Sequence, residues 1–444
     1  MAKKRLRIGI LFGGRSGEHE VSLLSAASIL KAIDHKKYDV VPIGISKQGR
    51  WLTDGEAHHL LAGDLAKPAE FAPIREDDPE FAVVAAVFRS GEPLQIPAPT
   101  KAPPQTFAPV SEDDAAFAVT AAVLRSGEPL QIPAPGKALP QTLDLQSGAE
   151  LAVPGSPFAN SIDVVFPVLH GTFGEDGTIQ GLLELADVAY VGSGVLGSSA
   201  AMDKDAMKRL FAAAGLPQTA YRSLTRSEWR ADPLRCRKLI EKALGYPLFV
   251  KPANLGSSVG ISKVHDRSEF AAAMDLAAKF DRKIVVEEGV GGPGVKPREF
   301  EVAVLGNDSP ESSVVGEIVP AKEFYDYEAK YELSGPDESA AIIPAKLTAA
   351  QQKQIQAMAI AAFKACDCAG LARVDFLMEP ATKANPRPRI LLNEINTMPG
   401  FTSISMYPKL WRASGVSYKQ LIDRLIKLAL ERHAEKQETA FNLK

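Results

Sequence analysis

Two short polar triplets near the C-terminal end carry the strongest chemical signal in the chain. Arg373-Val-Asp375 lies within one apolar stretch, and Glu394-Ile-Asn396 closes another. In a strand, residues i and i+2 face the same way. If the two strands pair, Asp375, Glu394 and Asn396 converge as hard oxygen donors with Arg373 beside them. Mg²⁺ favours such donors together with nucleotide phosphates. The alternative is two charged edge-strand faces in water. Against it, Ile390–Ile395 is too apolar for an exposed strand that ends on an acid.

A second signal is a loop rich in small residues. Lys251 ends an apolar run, and Asn254-Leu-Gly256-Ser257-Ser258-Val-Gly260 follows it. Glycines and small hydroxyl residues expose backbone N–H groups that can wrap phosphate oxygens. Lys251 adds a point charge. An ordinary β-turn with an exposed lysine has the same composition. The earlier Gly13-Gly14-Arg-Ser-Gly17 lacks the full dinucleotide fingerprint and reads as a structural turn or a generic anion nest. No G-x-x-x-x-G-K-[ST] motif is present, so a P-loop is not supported. Glu18-His19-Glu20 precedes a helix, where acids complement the dipole. His170 follows a buried-strand pattern, a place where loops often carry function, although a satisfied structural histidine fits equally. Tyr325, Tyr327 and Tyr331 can be core or cover residues.

The elements that must position these groups are legible as apolar runs between turns. Arg7–Phe12 and Asp39–Ile45 read as strands around a helix over Val21–Ile33, a βαβ unit that requires a parallel sheet. Ile162–Leu169 reads as a further strand and Ile179–Leu185 as a helix. After Ala201 the character becomes α+β. Helices are expected at Asp203–Ala214, Ala349–Cys366 and Tyr418–Arg432. Strands are expected at Tyr246–Lys251, Lys283–Glu287, Phe300–Leu305, Ser313–Val319, Val374–Met378 and Ile390–Ile395. Lys322–Pro344 reads as a polar, aromatic connector. Soft boundaries fall near residues 201 and 290.

One segment breaks this order. Phe71–Thr106 and Phe107–Thr142 are tandem copies of 36 residues, identical at 28 positions. Such identity indicates a recent duplication. Each copy suggests a hairpin turning at Ser-Gly-Glu-Pro, then a proline-rich stretch. Two copies fall short of the ~3 that a solenoid needs, so the repeat reads as a tolerated surface insertion.

At 444 residues, the chain is long enough for two to four domains of ~150 residues. Lys and Arg number 51 against 54 Asp and Glu. That balance gives no global electrostatic reason to bind nucleic acid or an anionic membrane. No stretch approaches the ~18 apolar residues of a membrane span. Cys236, Cys366 and Cys368 offer no disulfide framework and no zinc spacing, and read as reduced thiols in a cytoplasmic protein.

Seven segments together resemble the D-alanine–D-alanine ligases of the ATP-grasp superfamily. They are GGRSGEHEVSLLSA at 13–26, VFPVLHGTFGEDGTIQGLLEL at 165–185, YVGSGVLGSSAAMDK at 190–204, VKPANLGSSVGISKV at 250–264, EFYDYEAKY at 323–331, GLARVDFLM at 370–378 and NEINTMPGFTSISMYP at 393–408. They run in family order, and only about residues 50–160 depart from the pattern. The resemblance implies a mixed α/β and α+β, three-domain ATP-grasp architecture. An N-terminal parallel-sheet domain (1–200, with the insertion at 71–142) would bind the first D-alanine. A central domain (201–290) and a C-terminal domain (291–444) would clasp ATP.

The resemblance also assigns roles by motif position. Asp375, Glu394 and Asn396 match Mg²⁺ ligands, for two ions, with Mn²⁺ as a possible substitute. Lys204, Lys251 and Lys330 match phosphate or carboxylate contacts, with Ser258 and Phe324 also on the ATP side. Glu287 falls at the adenine hinge and Glu299 at the ribose. Glu18 matches the partner of the first D-alanine's ammonium, and His170 lies near its carboxyl group. Arg373 and the Gly400 N–H match an oxyanion hole. Ser405, with Lys330, matches the second carboxylate site. Glu18, Ser257 and Tyr331 match a hydrogen-bonded triad, and 322–344 a lid over the site. Tyr331 favours an amine over a hydroxy-acid nucleophile. The Glu288-Gly289 and GVGGPGVKPRE stretch departs from a typical hinge. D-alanine and ATP are the expected partners, in a homodimer without nucleic acid or membrane.

Overall fold

The computed structural model describes residues 5–52, 54–62, 162–256, 258–292, 294–320, 340–381 and 386–440. The duplicated segment, with its expected hairpins, lies outside the described residues, as do Ser257, Phe324, Lys330, Tyr331 and most of the expected lid.

The N-terminal part is a parallel sheet of β1 (Leu6–Gly13), β2 (Tyr38–Ile45), β3 (Val164–Pro167) and β4 (Ala189–Tyr190), in the order β2-β1-β3-β4. The expected βαβ unit is present, with its helix at His19–Ala32. Ile8, Ile10 and Phe12 of β1 and Phe166 of β3 are fully buried. Burial on both faces is what turns such a strand into a continuous apolar run. Their core continues into Phe401, Tyr407 and the C-terminal helix residues Leu421, Ile422, Leu425 and Ile426. That helix spans Tyr418–Gln437, longer than the apolar pattern indicates, because its last turns are carried by polar residues. It opens with a capping box of Ser417 and Gln420, a motif that satisfies two otherwise orphan N–H groups.

The central part holds β5 (Tyr221–Thr225), β6 (Leu248–Pro252), β7 (Ser262–Val264) and β8 (Lys283–Glu288), an antiparallel sheet in the order β5-β8-β6-β7. It packs on helices Pro233–Ala243 and Arg267–Phe280 through a separate core that includes Ile240, Val250, Phe270, Met274, Ile284 and Val286.

The C-terminal part is a larger sheet of β9 (Arg298–Gly306), β10 (Glu311–Val319), β11 (Ala340–Ile342), β12 (Gly370–Met378) and β13 (Ile390–Asn396), in the order β11-β10-β9-β12-β13. Helix Ala349–Ala365 covers one face. Along β12, Val374, Phe376 and Met378 are buried in that core, while Arg373, Asp375 and Leu377 alternate toward the other face. β12 begins at Gly370, earlier than its apolar pattern suggests, because β9 extends its pairing to Gly306. β11 emerges at the end of the stretch expected to be connector, since β10 offers it an edge.

Candidate active site

The described residues among those singled out by sequence come from turns and strand faces that meet around two adjoining cavities. Glu18 and His170 follow β1 and β3, beyond the carboxyl ends of parallel strands, where open α/β sheets place their ligands. Ser16 joins the two turns: its hydroxyl donates to the His170 carbonyl at 2.6 Å and accepts from the Glu18 N–H at 3.2 Å. Gly171 has φ of +75°, and a Cβ there would fall 2.6 Å from Glu18 Oε2. A Cβ on Gly256, in the central glycine loop, would fall 2.9 Å from the same oxygen. Glycine at both positions therefore lets Glu18 sit between the N-terminal turn and the central loop.

His170 is held on both ring nitrogens. Nδ1 lies 2.9 Å from the Met398 carbonyl, which can only accept, so Nδ1 carries the proton. Nε2 lies 3.1 Å from Ser25 Oγ. Burial pushes the imidazole below its ordinary value, against the pull of the Glu18 charge. A neutral ring with both nitrogens occupied acts as a clamp between the β3 turn and the loop at 398–401. It lines a cavity with Glu18, and both of its ring bonds are structural.

The two strands that carry the triplets do pair. Asp375 lies opposite Glu394 on β13 and opposite Glu301 on β9, so three carboxylates run in register across the sheet. Arg373 sits among them. Its guanidinium is bidentate to Asp375 at 2.7 and 2.8 Å and reaches Glu301 at 3.3 Å. Burial disfavours the Arg373 cation, but the surrounding acids, Asp375 first, hold its pKa well above the usual value. Asn396 Oδ1 accepts from the Met398 N–H at 3.0 Å. Among the described residues no three His, Cys, Asp or Glu side chains form a ready metal cage. Two carboxylates and a carboxamide are the donor set that suits Mg²⁺, which usually takes the remainder of its shell from water and phosphate oxygens. An acidic row with one arginine also retains uncompensated negative charge for a cation to offset. The residues fit the metal.

In the central part, Glu287 is buried near the end of β8. Its Oε2 lies 3.2 Å from Lys251 Nζ and 3.4 Å from Lys208 Nζ, and accepts from Thr219 Oγ1 at 3.0 Å. Burial pushes the Glu287 carboxyl up, but the two lysines and the Thr219 hydroxyl more than offset it, leaving the group at about 2. Lys208 is fully buried. Burial and the second lysine lower its pKa while Glu287 raises it, and the net direction is down, as expected for two cations facing one acid. Lys204 donates to the Leu255 carbonyl at 2.8 Å and so holds the glycine loop. Ser258 stands in that loop with φ of +60°.

The first cavity, of about 450 Å³, is lined by Glu18, His170, Glu175, Lys204, Gly400 and Ser405, among others. The second, of about 260 Å³, is lined by Lys251, Glu287, Glu299 and Asp375, among others. They share a wall: Ser258, Ile261, Glu301, Arg373 and Glu394 line both. Ser405 stands at the N-terminus of helix Met406–Ala413, where its hydroxyl meets Thr402 Oγ1 at 2.7 Å. Helix N-termini suit carboxylates.

Sequence reading missed Lys208, Thr219, Glu301 and Glu175. Lys208 lies one helical turn after Lys204, and Glu301 shares a strand face with Glu299, so spacing could have found both. Glu175 stood inside a quoted segment, but its importance depends on burial.

Three sheets that bring a phosphate-type glycine loop, a hard-oxygen donor set and a carboxylate-lined pocket to one wall define an ATP-grasp enzyme, a class that couples nucleotide to ligation. The description "D-ala D-ala ligase N-terminus" matches residues 7–193, and "D-ala D-ala ligase C-terminus" matches 210–427. The chain is 44% identical to the D-alanine–D-alanine ligase of Natranaerobius thermophilus, covering 98% of both chains, and 44% identical to that of Geobacillus thermodenitrificans, again covering 98% of each. Among solved structures it is similar to the D-alanine–D-alanine ligase from Coxiella burnetii, with a TM-score of 0.67 and 33% identity over 98% of this chain and 97% of that one. It is also similar to the VanG D-Ala:D-Ser ligase from Enterococcus faecalis, with a TM-score of 0.65 and 30% identity over 96% of this chain and 100% of that one. The chain belongs to the D-alanine–D-alanine ligase family.

Proposed function

We propose that this chain joins two D-alanines into D-alanyl-D-alanine at the expense of ATP, for peptidoglycan synthesis. The observation that carries the reading is the wall shared by the two cavities. Arg373 and Glu394 line both cavities, which supports reading one as the nucleotide side and the other as the amino-acid side. A carboxylate is a poor electrophile. Attack of the first D-alanine's carboxylate on the γ-phosphate gives an acyl phosphate and ADP. The second D-alanine's amine then attacks the activated carbonyl, loses a proton, and phosphate leaves.

Within that reading, Glu18 takes the first ammonium in the cavity it lines with His170. Lys204, Lys251 and Ser258 bind phosphate oxygens, and Glu287 and Glu299 hold the adenosine. Asp375, Glu394 and Asn396 would hold two divalent ions, whose charge would offset the repulsion between the two anions. Arg373 and the Gly400 N–H stabilise the tetrahedral oxyanion, and Ser405 holds the second carboxylate. Lys330, Phe324, Ser257 and Tyr331 complete the site as motif matches, and 322–344 closes it against water, which an acyl phosphate requires. The same reading keeps the domain divisions near 201 and 290, a homodimer, a cytoplasmic location, and no nucleic acid or membrane partner. Among the described residues no helix is long and apolar enough to cross a membrane.

The test is phosphate release from MgATP with D-alanine, L-alanine, or D-alanine plus D-serine or D-lactate, with the products weighed by mass spectrometry. D-alanine-dependent release with D-alanyl-D-alanine as the main product is expected. Tight MgATP binding without release would sink the reading and point to a nucleotide-binding sensor. A mixed dipeptide or depsipeptide as the main product would move the second substrate to D-serine or D-lactate.

A further inference from the structure

Glu175 is a buried acid beside the first cavity, and no step of the reaction above uses it. It lies in the turn between β3 and helix Thr178–Leu185. Its Oε2 accepts the Gly171 N–H at 2.9 Å. The Glu175 N–H donates in turn to the Gly171 carbonyl at 2.9 Å, so side chain and backbone close the turn together. Among the described residues, its buried Oε1 has no hydrogen-bond partner. Gly171 is also the residue against which Glu18 packs. Two glutamates thus converge on one glycine at the mouth of a single cavity.

An ionised Glu175 would put a second negative charge beside Glu18, with one oxygen lacking any donor. An unpaired buried charge of that kind is strongly unfavourable. The charged groups facing Glu175 are Glu18, Arg373 and Lys204, and His170 faces Glu18 in turn. Burial and the Glu18 charge push the Glu175 carboxyl well above the usual range, while the Gly171 N–H, Arg373 and Lys204 act against them. The first amino acid brings one ammonium, so one charge from the Glu18–Glu175 pair matches it.

We propose that Glu175 is a positioning residue of the first amino-acid site, acting as a neutral group that pins the His170–Gly171 turn and leaves Glu18 as the charged member of that glutamate pair for the substrate's ammonium. The inference rests on the ligase reading, so the wild-type enzyme is measured first. If it releases no phosphate with D-alanine, that reading fails, whatever Glu175 does.

With an active wild type, the deciding variant is Glu175→Gln, which keeps the shape, the acceptor and a donor without a titratable proton. The rate is followed against D-alanine at saturating MgATP, with MgATP affinity measured separately by calorimetry. Glu175→Gln is expected to stay within about threefold of wild type, with a superimposable rate profile between about pH 6 and 9. Glu175→Ala is expected to raise the half-saturating D-alanine concentration ~10–100-fold, with turnover and MgATP affinity nearly unchanged. If Glu175→Ala does not fold, Glu175→Asp takes its place, one methylene too short to reach Gly171, with the same split expected. A folded Glu175→Gln that loses more than about tenfold, or that lacks a titration limb the wild type shows, overturns the proposal. So does a shortened variant with wild-type D-alanine dependence.

Discussion

Glu287 and Glu175 are the same residue type, both buried, in adjoining cavities, and they are driven in opposite directions. Burial alone would raise both. Glu287 meets two lysines and a hydroxyl within 3.4 Å and falls to about 2. Glu175 meets one backbone N–H and another carboxylate, and rises. The neighbours therefore decide the ionisation state. The site around Glu287 is built on a compensated charge. Glu175 has no such cation bonded to it and sits beside a second acid, Glu18.

Lys208→Met breaks the comparison most directly. It removes one of the two cations facing Glu287 and leaves a less compensated buried acid. A loss of about 3–5 kcal/mol in unfolding free energy is expected from urea titration. A midpoint equal to the wild type's would mean that Lys208 contributes nothing to holding Glu287.

A matched pair of neutral variants sharpens it. Glu287 has a lowered folded pKa, so its contribution is present above the unfolded value near 4.5 and is lost as pH falls toward about 2. Glu287→Gln should cost a few kcal/mol at neutral pH, with the gap to wild type closing over that acid window. Glu175 has a raised folded pKa, so its contribution is present below the unfolded value and is lost as pH rises. Glu175→Gln should therefore match or exceed wild-type stability at neutral pH, by about 1 kcal/mol. Equal losses in the two variants would show that burial, and not the neighbours, governs both sites.

Gly171→Ala tests the geometry on which the amino-acid side depends. A methyl group there meets Glu18 Oε2 at 2.6 Å, in a backbone region that alanine disfavours. The D-alanine concentration for half-maximal rate should rise about tenfold while MgATP affinity holds. An equal loss of both would place the turn in the global scaffold. Excising one 36-residue copy should have the smallest effect, within about twofold on turnover. A folded single-copy variant with much lower turnover would give the repeat a role in the reaction.

Much of this arrangement was readable from residue order. The βαβ start, β6, β8, β9, β10, β12 and β13 follow from apolar runs between turns, and the donors converge on the condition that β12 and β13 pair, which they do. Asp375 and Glu394 stand opposite each other because the side-chain period of a strand is two. Other features were not readable. β5 and β11 are short and only partly buried, so their apolar signal is weak and their partners define them. The central helices Pro233–Ala243 and Arg267–Phe280 also expose apolar side chains, Leu234 and Leu239 in the first and Leu276 and Phe280 in the second, which blurs the period. His170 was identified as a functional candidate, but only the fold supplied Met398 and Ser25 as its partners.

The sequence by itself determined the family, the order of the elements and the residue types at the reacting wall, because local periodicity and motif spacing are properties of the chain. Tertiary structure alone decided which acids are charged. Glu287 is separated by 36 residues or more from Lys251 and Lys208, while Glu175 is 157 residues from Glu18. Coulomb energy depends on distance in space and on the loss of water, and neither quantity is written in chain order.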